Sequence, residues 1–243
     1  MQIIVFATLE DLSRKTAEIF VDISRACIIS KGKFTVAVSG GYTPRRLYAL
    51  LSSDSYREKI DWSHVYFFWV DERCVPKEHE DSNYGLVFKM LLSKLPMPDK
   101  NIRRMKGEME PEKAARAYEK DLRTFFGKSA LPAFDLILLG IGKDGHTASL
   151  FPDSEGLRET DRLVVPVFIE KQQEHRITLT LPVLNNGSQV IILASGSAKA
   201  DIIQEIFGRK DRAMQYPAGL VQPIRGNILW LVDEEAAKKL KRY

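Results

Sequence analysis

The stretch "FDLILLGIGKDGHTASLFP", residues 134–152, joins an apolar run to a turn rich in glycine. Such a run is typical of a strand that is buried on both faces, as in parallel sheets covered by helices. The glycines also spell Gly140-x-Gly142-x-x-Gly145, which is the spacing of a dinucleotide-binding loop. The rest of the sequence indicates which fold surrounds the strand and which ligand the turn binds.

Short apolar runs alternate with amphipathic helical patterns along the rest of the chain. The predicted strands are "IIVF", "FTVAVSGG", "HVYFFWVDE", "FDLILLGIG", "RLVVPVFI", "HRITLTL", "QVIILAS" and "NILWLVD". The predicted helices include "TPRRLYALL", "SNYGLVFKMLLSKL", "PEKAARAYEKDLRTFF", "SAKADIIQEIF" and "DEEAAKKL". Because strands separated by helices form parallel sheets, the sequence predicts an α/β fold: a mostly parallel, Rossmann-like sheet with helices on both faces.

We expect residues 1–243 to form a single domain, because no internal repeat or low-complexity linker divides them. The segment "LPMPDKNIRRMKGEMEP" is predicted to cover an edge of the sheet rather than to join two domains. With 44% hydrophobic and 28% charged residues, the chain can bury a full core without disulfides. Its two cysteines, Cys27 and Cys74, indicate no disulfide framework.

Charge and hydropathy limit the location and the partners. No signal peptide and no apolar run long enough to span a membrane is visible, so we expect a cytoplasmic protein without a membrane partner. The net charge of +4 comes from scattered basic residues. It fits a small anionic substrate better than nucleic acid, so no nucleic-acid partner is expected.

The dinucleotide interpretation of the glycines is not favoured. That loop needs a full helix after its last glycine, whereas Pro152 and Gly156 leave room for about two helical turns at most. Glu170 does end a later apolar run, as the fingerprint requires, but charged residues crowd the turn. A phosphate-binding loop of the G-x-x-x-x-G-K-[ST] type is also absent from the sequence.

Ligands of parallel sheets bind at the carboxyl ends of the strands, so the residues after each strand are the candidates for a site. After "FTVAV" come Ser39, Gly40 and Gly41, with Thr43 at the start of a helix. Glycine turns and helix N-termini present N–H groups to anions, so this segment is a candidate phosphate cradle. A tight turn with a capping threonine explains the same residues.

Ionisable residues follow two other strands. Arg73, after Asp71 and Glu72, can hold an anion or stabilise developing negative charge, or it can form an ion pair with one of those carboxylates. Arg176 and Lys199 lie at element boundaries, where they either reach a ligand or remain solvated surface charges. Cys74 is predicted to be a packed side chain rather than a nucleophile.

His146 is the histidine most suited to catalysis, because it lies in a glycine turn just after a strand. It is a candidate general base that Asp144 can orient, although a histidine that only bonds the turn fits as well. His64 and His79 are expected at the surface. No metal-ligand spacing is present, so no metal site is predicted, and Ser149 is not part of a nucleophile elbow.

Together these segments resemble the 6-phosphogluconolactonase family. The residues that carry the resemblance are "VSGGYTPRRLY", "FFWVDERCVP", "DSNYG", "LLGIGKDGHTASLFP", "RITLTLPVLNN" and "GSAKA", in that order. The related glucosamine-6-phosphate deaminases share S-G-G-x-T-P and a D-G-H turn, but differ after the histidine and at the position of Arg73. The lactonases are therefore favoured. Tyr42 departs from the family, which often has serine or threonine there.

The resemblance implies a sugar-phosphate isomerase-like fold and cofactor-free hydrolysis of 6-phospho-D-glucono-1,5-lactone in the pentose phosphate pathway. It implies that His146 is the general base, that Asp144 supports it, and that Arg73 stabilises the oxyanion or binds a sugar hydroxyl. The expected ligands of the 6-phosphate are Ser39, Gly40, Gly41, Thr43, Arg176 and Lys199. We expect a monomer that binds a small sugar-phosphate lactone. A deaminase or isomerase, or a non-catalytic sugar-phosphate sensor, remains an alternative.

Overall fold

The computed structural model of the chain describes residues 1–128, 130–208 and 210–240. The strands are β1 (Gln2–Phe6), β2 (Phe34–Val38), β3 (Val65–Trp69), β4 (Asp71–Arg73), β5 (Ile102–Arg103), β6 (Leu136–Gly140), β7 (Val164–Ile169), β8 (Glu174–Leu179), β9 (Gln189–Ala194) and β10 (Asn227–Asp233). The helices are α1 (Leu9–Lys31), α2 (Pro44–Leu51), α3 (Asp54–Arg57), α4 (Asn83–Met90), α5 (Pro111–Phe126), α6 (Glu155–Arg158), α7 (Leu181–Leu184), α8 (Ala200–Gly208), α9 (Lys210–Ala213), α10 (Pro217–Leu220) and α11 (Glu234–Ala237).

In the described residues the main sheet has seven parallel strands in the order β1-β10-β9-β6-β2-β3-β5. This confirms the mostly parallel sheet. The segment expected to cover an edge supplies β5, a two-residue edge strand that pairs with β3. The prediction of a single domain over residues 1–243 stays a prediction.

Helices lie on both faces of the sheet, as the alternating pattern predicts. Phe67 and Phe68 are neighbours in β3, so their rings point to opposite faces. Phe67 stacks with Phe20 of α1, with ring centroids 6.4 Å apart, and Phe68 meets Phe125 of α5 edge-on at 5.2 Å. The helices α1 and α5 therefore cover opposite faces of the sheet.

One predicted strand is wrong in its extent. The run "HVYFFWVDE" is divided at Val70 between two sheets, because the Val70 N–H donates to Val38 of β2 whereas its carbonyl accepts from Leu179 of β8. Beyond Val70, β4 joins the antiparallel sheet β4-β8-β7. Hydropathy falls at Asp71 and Glu72, yet both carboxylates are buried, and the change of sheet depends on hydrogen-bond partners that are distant in the chain.

The chain reverses its direction across the sheet between β2 and β6. From β2 it continues to β3 on one side, and from β6 it reaches β9 on the other side. In open α/β sheets such a switch point forms a crevice at the carboxyl ends of the strands. The segments after β2 and β6 therefore face a common crevice.

Candidate active site

A cavity of about 390 Å³ opens at this switch point. Eight of the nine residues predicted from the sequence line it: Ser39, Gly40, Gly41, Thr43, Arg73, His146, Arg176 and Lys199. The ninth, Asp144, joins the site through a hydrogen bond to His146. The structure thus brings together residues that lie up to 160 positions apart, counting from Ser39 to Lys199.

The turn after β6 is fixed by backbone contacts. The Gly142 N–H donates to the carbonyl of His146 at 2.8 Å, and the hydroxyl of Thr147 donates to the carbonyl of Gly140 at 2.8 Å. Gly145 has a φ of 82°, which favours glycine, and a Cβ there would come within 2.6 Å of Tyr216. Before β7 this part of the chain holds one short helix, α6, so the long helix of a dinucleotide site is absent there, as predicted.

Within this turn, Asp144 holds the imidazole of His146. Its Oδ1 lies 2.6 Å from Nδ1 of His146 and also accepts from the His146 backbone N–H at 3.2 Å. A carboxylate only accepts hydrogen bonds, so Nδ1 carries the proton and Nε2 keeps a free lone pair. A Cβ on Gly142 would lie 2.1 Å from that Nδ1, so the pair requires glycine at this position.

Burial and charge act on His146 in opposite directions. Burial lowers the pKa of His146 below its ordinary value, while the negative charges of Asp144 and Asp71 oppose that shift. Burial likewise works to raise the pKa of Asp144, but the charge and hydrogen bonds of His146 outweigh it and lower that pKa. At neutral pH the arrangement favours an ionised Asp144 beside a neutral imidazole, which can accept a proton at Nε2.

The turn after β2 leaves hydroxyl groups available to a ligand. Ser39 is buried, and within the described residues its Oγ has no hydrogen-bond partner. Thr43 takes the N-cap position of α2, but no cap hydrogen bond of its side chain is found in the described structure. Gly41 has a φ of 92°, and Tyr42 beside it is 74% exposed at the rim of the cavity.

Arg73 and Arg176 are paired across strands β4 and β8 and share one wall of the cavity. Arg73 donates from Nη1 to the carbonyl of Asp81 at 2.5 Å, and in the described part of the chain it makes no ion pair. The alternative in which Arg73 pairs with Asp71 or Glu72 is therefore not observed. Glu72 instead accepts backbone N–H groups at the start of α4.

Arg176 is 7% exposed, and its guanidinium is anchored by the hairpin that joins β7 to β8. It pairs with Glu174 and donates from Nη2 to Gln172 at 2.6 Å. Arg176 is therefore not a solvated surface charge. Its guanidinium is held on the same wall as Arg73, and Glu174 balances part of its charge.

Lys199 enters the cavity from a 3-10 turn after β9, Ser197–Lys199. The turn is anchored by Asp233, which accepts from the hydroxyl of Ser195 and from the Gly196 N–H. Burial and the positive charge of Lys143 lower the pKa of Lys199, while Asp144 opposes this. Lys143 is thus a nearby cation to which the sequence analysis gave no role.

Three further residues belong to the site: Asn83 and Phe151, to which the sequence assigned no role, and Asp71, which was considered only as an ion-pair partner of Arg73. Asp71 is 5% exposed, lines the cavity and accepts hydrogen bonds from the hydroxyl of Ser149 at 2.7 Å and from Asn83 at 3.2 Å. Phe151 stacks on His146. All three residues lie in segments that carry the family resemblance, "DERCVP", "DSNYG" and "HTASLFP". That resemblance was the sequence signal that pointed to them.

The other cysteine, serine and histidine residues considered from the sequence are not placed to act as a nucleophile or a base. Burial raises the pKa of the Cys74 thiol to about 11, so the thiol stays protonated at neutral pH, in agreement with a packed side chain. Ser149 is fully buried on Asp71. The side chains of His64 and His79 are 49% and 45% exposed, as expected for surface residues.

The described residues contain no group of three or more histidine, cysteine, aspartate or glutamate side chains placed to hold a metal ion. Within the same ranges, no helix combines the length and the hydropathy needed to cross a membrane.

Comparison with known proteins relates the chain to sugar-phosphate enzymes. A 6-phosphogluconolactonase from Synechocystis sp. is 40% identical over 217 residues, which cover 88% of each chain. One from Bos taurus is 39% identical over 242 residues, covering 97% of this chain and 92% of the relative. The structure of 6-phosphogluconolactonase from Trypanosoma brucei superposes with a TM-score of 0.83 at 30% identity, covering 99% of this chain and 98% of the other.

A sequence profile matches residues 7–230, which is most of the chain. Its description is "Glucosamine-6-phosphate isomerases/6-phosphogluconolactonase". The strands β2 to β9, the glycine turns and the His146–Asp144 pair lie within that matched range. The chain belongs to the glucosamine-6-phosphate isomerase/6-phosphogluconolactonase family.

Proposed function

We propose that the chain is a 6-phosphogluconolactonase, which hydrolyses 6-phospho-D-glucono-1,5-lactone to 6-phospho-D-gluconate in the oxidative pentose phosphate pathway. The observation that carries the proposal is the His146–Asp144 pair in one cavity with the Ser39–Gly41 turn and three cationic side chains. A proton acceptor at one end of a site and anion ligands around it suit a phosphorylated ester substrate. The names of the relatives point to the same reaction.

His146 is the general base in this proposal. Its Nε2 takes a proton from a water molecule, and the water oxygen attacks the carbonyl carbon of the lactone. The carbonyl oxygen becomes an oxyanion, which the guanidinium of Arg73 stabilises. When the bond between the carbonyl carbon and the ring oxygen breaks, the imidazolium returns the proton to that oxygen. The products are a hydroxyl group and a carboxylic acid, which ionises.

Asp144 supports the base through Nδ1. Its carboxylate keeps the proton on that nitrogen and stabilises the imidazolium that forms during attack. Asp71 adds a second negative charge that favours the imidazolium. Neither carboxylate needs to contact the substrate for this effect.

In this proposal the 6-phosphate is bound in the same cavity by the turn after β2, with the cations Arg176 and Lys199. The ligands from the turn are Ser39, Gly40, Gly41 and Thr43. The open hydroxyls of Ser39 and Thr43 and the positive φ of Gly41 support this placement. Anchoring the phosphate orients the distant carbonyl, so the binding energy is used to position the reacting atoms. In this proposal the side chain of Tyr42 supplies no ligand, although its backbone remains part of the turn.

The proposal includes a cytoplasmic monomer of one domain that binds no nucleic acid. A hydrophobic cluster that includes Leu12 of α1, Ile177 of β8 and Ala237 of α11 supports one domain. Light scattering coupled to size exclusion checks the monomer. A mass of twice 27.6 kDa would contradict it.

Lactone hydrolysis is the test of this function. Freshly generated 6-phosphogluconolactone is mixed with the protein, and acid release is compared with the spontaneous rate. We expect a large acceleration, and a rate equal to the spontaneous one would overturn the proposal. Because the family also contains glucosamine-6-phosphate isomerases, ammonia release from glucosamine 6-phosphate is measured in parallel, and we expect none.

A further inference from the structure

Asn83 lies between the Ser39–Gly41 turn and the buried carboxylate of Asp71. It is the first residue of α4, it is 3% exposed, and it lines the cavity. It belongs to the segment "DSNYG", to which the proposed reaction assigns no task. A buried amide at the wall of a cavity is costly unless its polar atoms are satisfied, so its contacts are informative.

On one side, the Asn83 side chain lies directly against Gly40. A Cβ built on Gly40 would lie 1.8 Å from Oδ1 and 2.4 Å from Cγ of Asn83. Real Cβ atoms do not approach other atoms this closely, so the contact exists only because residue 40 is glycine. The middle of the glycine turn therefore rests on the amide of Asn83.

On the other side, the amide holds Asp71. Its Nδ2 donates to the Asp71 carbonyl at 3.0 Å and to Oδ1 of the Asp71 side chain at 3.2 Å. Asp71 also accepts from Ser149 at 2.7 Å, so two donors fix its carboxylate. Asn83 thus bridges the turn after β2 to a residue after β3.

The backbone of Asn83 is itself anchored. Its N–H donates at 2.7 Å to Oε1 of Glu72, whose other oxygen accepts from the Tyr84 N–H at 2.8 Å. Glu72 is 2% exposed and sits in the same strand as Asp71. The start of α4 is therefore attached to β4, and Asn83 has little freedom to move away from the turn.

We propose that Asn83 is a positioning residue that fixes the Ser39–Gly41 turn against Asp71 and thereby sets the place of the bound phosphate group. This inference rests on the proposed function, in which that turn binds the 6-phosphate. Asn83 touches no reacting atom and acts through Gly40. His146 and Asp144 are held separately by the Gly142 turn, so loss of Asn83 acts on binding more than on the chemical step.

The first experiment compares Asn83→Ala and Asn83→Asp with the wild-type protein. Both variants remove the donor to Asp71, and the aspartate keeps the volume of the side chain. We expect the KM for the lactone and the Kd for inorganic phosphate to rise about tenfold, with kcat changed by less than about threefold. Equal losses in kcat and no change in the phosphate Kd would overturn the proposal.

Asn101→Ala is the matched control. Asn101 is fully buried, and its Nδ2 donates to the carbonyl of Ser63 at 2.9 Å, next to the edge strand β5. Its removal is expected to lower the melting temperature while KM and the phosphate Kd stay at the wild-type values. If Asn101→Ala raised the phosphate Kd as much as Asn83→Ala does, general destabilisation would explain both and the proposal would fail.

The second experiment tests the contact itself through Gly40→Ala. In the wild-type background the new methyl group collides with the side-chain amide of Asn83. When residue 83 is alanine, the amide is gone, and the nearest side-chain atom of residue 83 is its Cβ, 3.1 Å from the new methyl group. We expect Gly40→Ala alone to weaken phosphate binding further than the double variant Gly40→Ala/Asn83→Ala does. If Gly40→Ala fails to fold, recovery of soluble protein in the double variant supports the contact. Additive effects, or failure of both variants, would contradict it.

Phosphate binding is measured by calorimetry, which needs no turnover, so the two proposals fail separately. A wild-type protein that binds phosphate but does not accelerate lactone hydrolysis contradicts the proposed function, while the Asn83 variants still decide the role of Asn83. A wild-type protein that hydrolyses the lactone but shows no coupling between residues 40 and 83 contradicts this inference alone. Absence of phosphate binding by the wild-type protein overturns the inference as well.

Discussion

The imidazole of His146 stacks on the phenyl ring of Phe151, with the ring centroids 4.2 Å apart and the planes 28° apart. The same phenyl ring lies 5.7 Å from the guanidinium carbon of Arg176 and packs against a small apolar cluster, Val165, Val167 and Ile169. Asp144 fixes the imidazole at Nδ1 and Phe151 fixes the plane of the ring. Together they determine the direction of the Nε2 lone pair.

Replacing Phe151 with leucine removes this stacking surface but keeps an apolar side chain. We expect kcat to fall about tenfold with little change in KM, because a loosened imidazole spends less time in the orientation in which Nε2 takes the proton of the attacking water. Steady-state kinetics of lactone hydrolysis measure both constants. Phe168→Leu is the control, since Phe168 lies in the same small sheet, is 48% exposed and contacts His175 instead. An equal fall of kcat in both variants would show that the small sheet, not the stacking, is responsible.

His146→Ala removes the proposed base. A general base supplies about 10²–10⁴-fold, so we expect kcat to fall by that factor. Inhibition by inorganic phosphate is expected to stay unchanged, because the Ser39–Gly41 turn is intact. His175→Ala, at an exposed position in β8, is expected to keep wild-type activity. Wild-type turnover in His146→Ala would remove His146 from the mechanism.

Asp144→Asn tests the electrostatic part of the pair. In the proposed mechanism the base acts as neutral imidazole, so we expect kcat/KM of the wild-type protein to fall as the pH drops through the pKa of His146, which burial places below its ordinary value. The charge of Asp144 raises that pKa. Its removal therefore lowers the pKa further, and the acid limb of the pH profile moves to lower pH, with a plateau reduced by at least about tenfold.

The control for this profile is Asp153→Asn, a substitution in the same loop at an exposed position. Its φ of 61° is a conformation that asparagine also adopts readily, so the fold is preserved. The acid limb of Asp153→Asn is expected at the wild-type pH. A limb that moves to higher pH in Asp144→Asn would contradict the assigned direction of the charge effect.

Elements with a strong local pattern were predicted to the residue. The helix "PEKAARAYEKDLRTFF" and the strand "NILWLVD" match α5 and β10, because a proline at the first helical position and a continuous apolar run mark their bounds. The strand β5 has two residues, too few for any periodicity, and was predicted only as part of a covering segment. The division at Val70 depends on partners distant in the chain, Val38 and Leu179.

In the candidate site, too, the contact within one short turn was predictable and the contact between distant segments was not. His146 and Asp144 are two residues apart in one turn, so their contact follows from local sequence. The contact of Asn83 with Gly40 joins the start of α4 to the turn after β2, 43 positions apart in the chain, and has no local pattern. The stack on Phe151 follows a loop in which Ala148 has a φ of 49°, and alanine rarely adopts that conformation. Propensity does not predict such a residue, so the orientation of the imidazole was visible only in the structure.

Gly142→Ala tests the packing of the catalytic turn. The new Cβ would lie 2.1 Å from Nδ1 of His146 and 2.5 Å from Oδ1 of Asp144, so the pair must separate. We expect kcat to fall by about 10²-fold or more, as when the base is lost. Gly208→Ala at the end of α8 is the control, because its nearest atom in the described structure is Cγ of Gln204, at 3.8 Å. Full activity in Gly142→Ala would contradict the tight packing of the turn.

Lys199→Ala tests the cation of the proposed phosphate site. A hydrogen bond to a charged group contributes about 1.5–3 kcal/mol, so we expect KM to rise at least about tenfold with a smaller change in kcat. Burial and the charge of Lys143 lower the pKa of Lys199, so this lysine loses its positive charge at a lower pH than an ordinary lysine does. We therefore expect the KM of the wild-type protein to begin to rise at that lower pH. Lys143→Ala removes the like charge and shifts that rise to higher pH. An unchanged KM in Lys199→Ala would show that Lys199 is a surface charge.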